Sequence, residues 1–359
     1  MKIKNKNLYY VGGVVRDELL GVESLDVDYC YEGNAIEFAK DLNVVKTNAD
    51  FGTVRVLAEN GEIDIASTRS ETYPKQGHLP LVENIGCGLK EDLKRRDFTI
   101  NALAKNTLTG EVIDYFNGIE DIKNKTLRVL HSESFKDDPS RIVRGLKFAV
   151  RFGFELESET LNLQEEYLQD INYDMSYHRL KKELKETFNL NREEAYERFV
   201  NQGIYKLLGK NQELPIKNVS ISSLVNQFEP QNVWLVYLGQ FDLSNFELTN
   251  QEANIVNSYN KIKEIKPENR LQVYKLFKDI PLESVLLYAL SVDYKIAYEF
   301  LNELKNVKLE MSGKDLLELG FAQSSFYKEI MDFVLAKKLE NPEMSKEQEL
   351  EIVKTKFVC

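Results

Sequence analysis

The spacing of apolar residues changes once along this chain, close to residue 130. Up to about residue 125, short stretches of alternating apolar and polar residues are interleaved with short helical patterns, which is typical of a small sheet with a few helices. After Leu130 the apolar positions recur three and four residues apart, and this spacing predicts helices. We therefore predict an α+β protein with a small mixed-sheet domain at its N-terminus, followed by an all-helical remainder.

The first part gives specific predictions for individual segments. The predicted strands are LYYV (8–11), LDVDYCYE (25–32), NVVKT (43–47), EVIDYF (111–116) and the hairpin TVRVLAENGEIDIAST (53–68), with Asn60 and Gly61 as its turn. The predicted helices are VVRDELLG, which ends at Gly21, NAIEFAKDL (34–42) and KEDLKRRDFTINALA (90–104). The glycine- and proline-rich segment 70–88 is predicted to be a loop. Further helices are predicted over residues 139–152, 158–170, 178–190 and 192–202.

Two aspartates, Asp26 and Asp28, lie one residue apart in the second predicted strand. Residues i and i+2 of a strand project from the same face, so both carboxylates should lie together while Leu25, Val27 and Tyr29 face the core. Two like charges on one face call for a cation, and hard divalent ions prefer carboxylate oxygens. An isolated Asp-x-Asp is more often an ordinary solvated strand face, so the neighbouring motifs decide between the two interpretations.

A glycine pair precedes these acids. Gly12 and Gly13 lie between a predicted strand and a predicted helix, where glycine lets backbone N–H groups approach an anion at the helix N-terminus. Arg16, in the first turn, can reach the same anion with its planar guanidinium. Together with the aspartates, these residues predict a triphosphate cradle beside a metal site. Asp64 on the predicted hairpin is the candidate third acid, with Glu62 on the same face.

Two later segments carry the other polar patterns. In DDPSRIVRGLKFAVRFGF (137–154), Asp138 should begin a helix with Pro139 at its first position. A row of cations follows at three- and four-residue steps, namely Arg141, Arg144, Lys147 and Arg151. A capped helix with a solvated basic face explains this pattern. Alternatively, Asp138 and Arg141 offer an acceptor and donors to a base edge, while Arg144 and Lys147 reach phosphates. Arg96 and Asp97, in EDLKRRDFTINALA (91–104), are ambiguous alone and are predicted to be helical.

The formal net charge of −11 by itself disfavours a nucleic-acid partner, because neutralisation of phosphates dominates such binding. However, basic residues are concentrated between Lys90 and Arg151, which is compatible with a basic cleft on an acidic protein. The sequence contains no apolar run long enough to span a membrane and no signal-peptide pattern at its start. Its three scattered cysteines, Cys30, Cys87 and Cys359, favour reduced thiols. We therefore expect a cytoplasmic protein.

Four motifs, taken in order, resemble those of one family. GGVVRDELLG…LDVDY, DIASTR, RRDFTINALA and DPSRIVRGLKFAVRFGF are similar to motifs of the class II tRNA nucleotidyltransferases. That family includes the CCA-adding enzymes and bacterial poly(A) polymerases, within the polymerase-beta nucleotidyltransferase superfamily. The resemblance covers roughly residues 8–190. It implies a nucleotidyltransferase head over residues 1–128, a helical neck over 129–200 and a helical body and tail over 201–359.

The resemblance also implies a reaction and a set of roles. The reaction is stepwise addition of CMP, CMP and AMP, from CTP and ATP with Mg²⁺, to the 3′ end of tRNA without a nucleic-acid template. Asp26 and Asp28 would hold the metal and be catalytic, together with Asp64. The nucleotide would be bound by Gly13, Arg16, Arg96, Asp97, Asp138, Arg141, Arg144 and Lys147. Among these, Arg96, Asp138 and Arg141 would form the protein template that hydrogen-bonds the incoming base.

Three positions depart from the family pattern. Asp137 stands where glutamate is usual, Gly145 where alanine is usual, and Lys147 where arginine is usual. Lysine is a point charge and cannot form the bidentate contact of an arginine.

Several alternatives to full CCA addition are open: an enzyme specialised for A or CC addition, a poly(A) polymerase, a nucleotidyltransferase of small molecules, and a non-catalytic RNA-binding scaffold. The presence of both aspartates disfavours the scaffold. The resemblance also disfavours pure CC addition, because the family associates a flexible loop at this place with the addition of A, and segment 67–93 is not truncated here. The long helical arm and basic neck favour a large RNA over a small molecule.

Overall fold

A seven-stranded mixed sheet organises the N-terminal region of the chain. The computed structural model describes residues 4–24, 27–58, 61–322 and 325–357. The strands are β1 (Leu8–Val11), β2 (Tyr29–Tyr31), β3 (Val44–Asn48), β4 (Thr53–Ala58), β5 (Gly61–Ser67), β6 (Arg69–Thr72), β7 (Leu81–Ile85), β8 (Leu103–Asn106), β9 (Val112–Asp114), β10 (Thr126–Leu127) and β11 (Glu155–Leu156). The large sheet has the order β3-β4-β5-β2-β1-β8-β9, and β2 and β5 are its parallel pair.

Helices make up most of the remaining regular structure. They are α1 (Gly13–Leu20), α2 (Ala35–Phe38), α3 (Leu89–Lys94), α4 (Gly118–Lys123), α5 (Ser134–Asp137), α6 (Ser140–Phe152), α7 (Ser158–Gln169), α8 (Tyr177–Phe188), α9 (Glu193–Asn201), α10 (Ile221–Phe228), α11 (Val233–Leu238), α12 (Asn250–Ile262), α13 (Arg270–Phe277), α14 (Leu282–Ser291), α15 (Tyr294–Glu299), α16 (Gly313–Glu318), α17 (Phe326–Glu340) and α18 (Lys346–Phe357). The prediction of a mixed-sheet region followed by a largely helical one is confirmed.

Two apolar clusters pack on opposite faces of the sheet. One joins Leu8, Val54 and Ile65 to Ala35 of α2 and to Ala39, which directly follows that helix. The other joins residues of β1, β2 and β8 to α3. Successive residues of a strand point to opposite faces, so the residues of β4 and β5 that alternate with this core project away from α2. The part of the sheet formed by β3, β4 and β5 therefore carries its polar side chains on one open face.

The strand predicted over residues 25–32 is shorter in the structure, because β2 begins at Tyr29. Val27 is 45% exposed, so the prediction that it faces the core is wrong. The Val11 N–H donates to the Asp28 carbonyl, but the chain then turns at Gly12, whose φ of 68° is left-handed. Because β1 ends there, no residue of β1 remains to pair with Val27. Asp26, like Leu25, lies outside the described residues.

The helix predicted over residues 90–104 is also wrong beyond its first turns. Helix α3 ends at Lys94, Phe98 is extended and forms a bridge with Val129, and β8 begins at Leu103. The Asp97 carboxylate accepts the backbone N–H of Phe98 at 2.7 Å, and such local bonds compete with helix formation. Arg96 and Asp97 therefore lie on an irregular connection and not on a helix.

Two smaller pairings were not predicted either. β6 and β7 form an antiparallel hairpin within the segment predicted as a loop. Their residues are half-buried or exposed, and because neither face is fully buried, their sequences lack the apolar alternation by which a strand is predicted. β10 and β11 form a short parallel pair, so the region after residue 130 is not helical throughout. The hairpin of β4 and β5 is confirmed, with Ala58 paired to Gly61. Asn60 of its predicted turn is outside the described residues.

The chain forms two compact units. The first comprises Met1–Gln212 with Ser244–Glu247, and the second comprises Glu213–Leu243 with Leu248–Cys359. The four helices predicted between residues 139 and 202 are α6 to α9, with ends that agree within about two residues. None of the helices in the described ranges is both long and apolar enough to cross a membrane.

Candidate functional site

A large polar cavity lies within the first unit, beside α1, α6 and α8. Its volume is about 880 Å³, which is in the range of small-molecule sites. Nine cationic side chains and six carboxylates line it. The lining includes Asp28 and all eight residues predicted to bind a nucleotide, which are Gly13, Arg16, Arg96, Asp97, Asp138, Arg141, Arg144 and Lys147. Residues that are more than a hundred positions apart in the sequence therefore surround one space.

The glycine turn and Arg16 form one side of this cavity. Gly12 has a left-handed φ of 68°, and Gly13 is the first residue of α1. The N-terminus of α1, where backbone N–H groups lack partners within the helix, therefore lies at this wall of the cavity. Arg16 is 5% exposed, and its guanidinium donates to Asp17 Oδ1 at 2.9 and 2.6 Å and to the side-chain amide oxygen of Asn101 at 2.6 Å. Arg16 is thus held in one orientation at the cavity wall.

Aromatic rings complete the surroundings of Arg16. The centroids of the Phe148 and Phe152 rings lie 4.9 and 4.8 Å from its guanidinium carbon, within the range of cation–π contacts. Both rings belong to α6, so the helix that carries the row of cations also packs on Arg16.

Asp97 is a buried residue that connects α6 to the irregular segment after α3. Its carboxylate accepts from the Asn101 amide at 2.9 Å and from Arg144 Nη1 at 3.1 Å. Burial alone would raise the pKa of Asp97, but Arg144 and the Asn101 hydrogen bond hold it below its ordinary value. Asp97 is therefore a carboxylate whose oxygens are largely occupied by protein donors.

The predicted template residues Asp138 and Arg141 are both buried, at 3% and 4% exposed. Asp138 accepts from the backbone N–H of Ser140 at 3.1 Å and from Arg179. Helix α6 begins at Ser140 and not at the predicted Pro139. Asp138 therefore caps the helix from two residues before its first residue, one residue earlier than predicted. The Arg141 guanidinium lies 3.8 Å from Asp138, so the structure brings the two together.

Arg141 is also held by groups outside α6. It donates to the Ser134 hydroxyl at 2.7 Å, to the Arg95 carbonyl at 2.9 Å and to the Tyr73 hydroxyl at 3.3 Å. A side chain with this many fixed partners loses little further freedom when it binds a ligand, which is the condition for a selective polar contact.

Lys147 is occupied by two carboxylates of α8. Its ammonium lies 2.7 Å from Glu183 and 2.6 Å from Glu186, and Glu183 also accepts from Arg144 at 3.1 Å. Burial alone would raise the pKa of Glu186, but the hydrogen bond from Lys147 holds it below its ordinary value. Lys147 therefore lines the cavity as part of an ion-pair cluster that joins α6 to α8.

Arg96 lies beneath the glycine turn. Its Nη2 donates to the buried Asp92 at 3.2 Å, while its Nε is buried with no hydrogen-bond partner among the described residues. A Cβ atom placed on Gly12 would lie 2.9 Å from Arg96 Nη1. Glycine at position 12 is therefore favoured by its left-handed backbone conformation, and the Arg96 guanidinium approaches it closely.

Two of the predicted acids meet at a second cavity of about 390 Å³. Asp28 and Asp64 both line it, and Asp28 and Arg96 line the larger cavity as well. The parallel register pairs Tyr29 with Ile65, which brings Asp28 and Asp64 to the same level of the sheet. Exposed carboxylates at one level suit a hard divalent cation. Asp26, the other predicted metal ligand, lies outside the described residues.

Asp64 already has a partner in this structure. The Arg55 guanidinium binds it through Nε and Nη2, each at 2.8 Å. These hydrogen bonds lower the pKa of Asp64 below its ordinary value. Asp64 therefore lines this cavity as a carboxylate whose two oxygens are both bound by Arg55.

Sequence reasoning missed several residues that organise the cavity. Arg179 and Glu183 of α8 bind Asp138 and Lys147, and Asn101 connects Arg16 to Asp97. Arg179 and Glu183 are four residues apart, a spacing that in sequence resembles an ordinary surface pair on a helix. Their partners, Asp138 just before α6 and Lys147 within it, lie about 40 residues away in the chain, and the sequence contains no local signal for either contact.

The fold and the site together define a class of protein. A mixed sheet presents the carboxylates Asp28 and Asp64, and a glycine turn, a helix N-terminus and several arginines line the adjoining cavity. Positioning and charge neutralisation are the main requirements of phosphoryl and nucleotidyl transfer. These features define a nucleotidyltransferase.

Comparison with known proteins agrees with this class. Residues 8–128 match the family model of the poly A polymerase head domain. The chain is 32% identical over 362 residues to the A-adding tRNA nucleotidyltransferase of Halalkalibacterium halodurans, and the match covers 90% of this chain and 83% of that protein. It is 49% identical over 163 residues to the A-adding enzyme of Aquifex aeolicus, covering 43% of this chain but only 20% of that protein.

Solved structures of relatives are similar along nearly the whole chain. The Thermotoga maritima CCA-adding enzyme complexed with tRNA has a TM-score of 0.74 and 28% identity, covering 97% of this chain and 90% of that one. CCA-adding enzymes solved with ATP and with CTP have TM-scores of 0.74 and 0.75, 26% and 27% identity, and coverage of 97% and 98% of this chain and 91% and 90% of theirs. The chain belongs to the class II family of CCA-adding and A-adding tRNA nucleotidyltransferases, whose superfamily uses divalent metal.

Proposed function

We propose that this protein completes the 3′ end of tRNA by adding CMP, CMP and AMP from CTP and ATP, with Mg²⁺ as its metal. The observation that carries the proposal is the single cavity that contains Asp28, Arg16, Asp138 and Arg141 together. It combines an acid for the metal, a cation for the triphosphate and a buried acceptor–donor pair for the base. Relatives solved with tRNA, CTP and ATP support the choice of substrates.

The base selectivity follows from the chemistry of Asp138 and Arg141. On their Watson–Crick edges, cytosine and adenine each present an amino donor next to a ring-nitrogen acceptor, which match a carboxylate and a guanidinium. Uracil and guanine present an acceptor next to a ring N–H and reverse this order. A mismatched base leaves buried polar groups without partners, at a cost of about 1–3 kcal/mol each. One Asp–Arg pair is therefore able to accept both CTP and ATP.

The reacting end of the site is built from Asp28, Asp64 and, by the sequence motif, Asp26. These carboxylates would hold Mg²⁺, which when bound neutralises the triphosphate and lowers the pKa of the attacking 3′-hydroxyl. Arg16 and the N-terminus of α1 hold the phosphates in line, and Arg144 supports them from α6. Because both oxygens of Asp64 already accept hydrogen bonds from Arg55, we assign the proton of the 3′-hydroxyl to Asp26 or Asp28.

The remaining nucleotide ligands have assigned parts in this proposal. Arg96 completes the template with Asp138 and Arg141, and Asp97 orients Arg144. Lys147 supports the nucleotide from its ion-pair cluster with Glu183 and Glu186. We also propose that residues 1–128 act as the catalytic head, 129–200 as the neck that reads the base, and 201–359 as the body and tail that hold tRNA.

A second candidate is an enzyme that adds only the terminal A. The A-adding relatives from Halalkalibacterium halodurans and Aquifex aeolicus favour it. Because cytosine and adenine present the same donor–acceptor order, the same Asp138–Arg141 pair serves both enzymes. The acceptor RNA, and not the nucleotide site, distinguishes the two candidates.

Extension assays on three acceptors separate these functions. Purified protein, Mg²⁺ and tRNA ending at the discriminator base, at C or at CC are incubated with CTP and ATP, singly and together. Completion of all three acceptors supports CCA addition, and extension of the CC-ended tRNA alone identifies an A-adding enzyme. Long A tails on unrelated RNA identify a poly(A) polymerase. No extension of any acceptor contradicts the enzymatic function.

A further inference from the structure

A row of charged side chains crosses the open face of the sheet. Lys46 of β3 pairs in register with Arg55 of β4, and Arg55 pairs with Asp64 of β5. Directly paired residues project from the same face, so these side chains lie together on the face opposite α2. Asp28 is at the level of Asp64 in the parallel register. Two cations thus lead across the sheet to two acids.

These four residues line the smaller cavity of about 390 Å³. Neighbouring strands are ~4.8 Å apart, so the backbones carrying Lys46, Arg55 and Asp64 span ~10 Å. The polar residues Thr47, Asn48 and Thr53 line the same space. Since Asp28 borders both cavities, a group bound in the smaller one and a nucleotide bound in the larger one reach the same carboxylate.

The two cations of the row differ in what they bind. Arg55 is neutralised by Asp64 and lies 3.5 Å from Glu62. For Lys46, by contrast, no ion pair is present within the described parts of the chain. Its side chain is exposed on β3, the edge strand of the sheet. An exposed, unpaired ammonium that lines a polar cavity is suited to a phosphate.

We propose that the smaller cavity holds the single-stranded 3′-terminal nucleotide of the acceptor RNA, with Lys46 contacting the phosphodiester that precedes it. This inference rests on the proposed function, because nucleotidyl transfer requires a 3′-hydroxyl and a nucleotide to meet at one acid. The RNA strand enters over β3, its phosphate binds Lys46, and its 3′-hydroxyl lies at Asp28. Arg55 keeps Asp64 oriented in the lining of the cavity.

The test measures RNA and nucleotide binding separately. Wild type, Lys46→Ala and the control Lys40→Ala are compared; Lys40 is an exposed lysine of the same unit that pairs with Glu37. The RNA is a minihelix of the tRNA acceptor stem ending in CC. Because it makes fewer contacts than a whole tRNA, the loss of one phosphate contact changes its affinity more visibly. A second set of minihelices carries a neutral methylphosphonate at one of the last three linkages.

For Lys46→Ala we expect about a fivefold to tenfold higher Kd and KM for the minihelix and a salt slope lower by about one. The KM for ATP and the behaviour of Lys40→Ala should be unchanged. At one linkage, methylphosphonate should weaken binding by the wild type but not by Lys46→Ala. An unchanged Kd, an equal rise in the KM for ATP, or additive losses at every linkage would overturn the inference. Absence of extension by the wild type would contradict the proposed function instead, while the binding data would still decide the role of Lys46.

Discussion

The Arg144 guanidinium lies 3.1 Å from the Asp97 carboxylate, which joins helix α6 to the connection that follows α3. Asp97 also accepts from Asn101, and Asn101 accepts from Arg16. A continuous chain of hydrogen bonds therefore connects the arginine beside the glycine turn to the row of cations on α6. The two walls of the cavity hold one another in position before any nucleotide is bound.

Replacing Asp97 with asparagine should destabilise the protein by an amount that depends on pH, because the variant lacks the carboxylate charge that binds Arg144. The folded-state pKa of Asp97 is depressed, so its contribution is complete above the unfolded carboxyl pKa of about 3.9 and is lost as the pH falls through the folded pKa. Asp97→Asn should lower the free energy of unfolding at pH 7 by about 2–4 kcal/mol. The difference from wild type should shrink below about pH 4, as measured by urea unfolding.

The exposed Asp50 provides the control for this series. Asp50→Asn should leave the free energy of unfolding within about 0.5 kcal/mol of wild type. A deficit of Asp97→Asn that stayed constant down to pH 3 would show that the carboxylate charge is not what stabilises the junction.

Asp28→Ala should remove catalysis and leave RNA binding intact. Loss of a ligand to the catalytic cation costs several kcal/mol, so we expect kcat to fall by about a thousandfold or more. The Kd for tRNA should change less than about twofold, because an exposed carboxylate does not attract phosphate. Extension assays and filter binding give the two values. Asp50→Ala is the matched variant, and activity of Asp28→Ala within tenfold of it would contradict the assignment.

Arg141→Ala should weaken the choice between CTP and UTP. With one template donor lost, the ratio of their kcat/KM values should fall by about 10- to 100-fold, equivalent to about 1–3 kcal/mol. The exposed Arg192 serves as control, and thermal melting separates this effect from the loss of the contacts to Ser134 and Tyr73. Unchanged discrimination in a folded Arg141→Ala variant would refute the template role.

In the second unit, Lys338→Met should destabilise the packing of α17 against α18. Lys338 is 4% exposed and lies 3.1 Å from Glu349, whose side chain is fully buried. Removing one partner of a buried ion pair costs about 3–5 kcal/mol, because the other charge stays buried without compensation. Urea unfolding followed by the fluorescence of Trp234, the single tryptophan of the chain, reports on this unit.

The adjacent Lys337 is exposed and pairs with Glu340 on the surface. Lys337→Met should cost less than about 1 kcal/mol. Equal losses for the two lysines would show that burial of the Lys338–Glu349 pair does not decide its contribution.

Much of the architecture follows from local sequence. The change from alternating to helical spacing predicted where the sheet gives way to helices, and Gly21 marked the end of α1 with a left-handed φ of 70°. The same local rules failed at Arg96 and Asp97, where a side-chain hydrogen bond and the bridge from Phe98 to Val129 replaced a helix. They also failed at β6 and β7, whose exposed faces carry no apolar alternation.

The residues of the site were available from motif order, but their arrangement was not. The sequence by itself identified the candidate groups for the chemistry: the glycine turn, Arg16, the aspartates, and the Asp138–Arg141 pair. Only the tertiary structure decided that Lys147 is occupied by Glu183 and Glu186, that Arg179 holds Asp138, and that Lys46, Arg55 and Asp64 form a row. Helical spacing and turn chemistry depend on neighbours a few residues away. The partner of a buried charge depends on the path of the chain, which brings together residues up to a hundred positions apart.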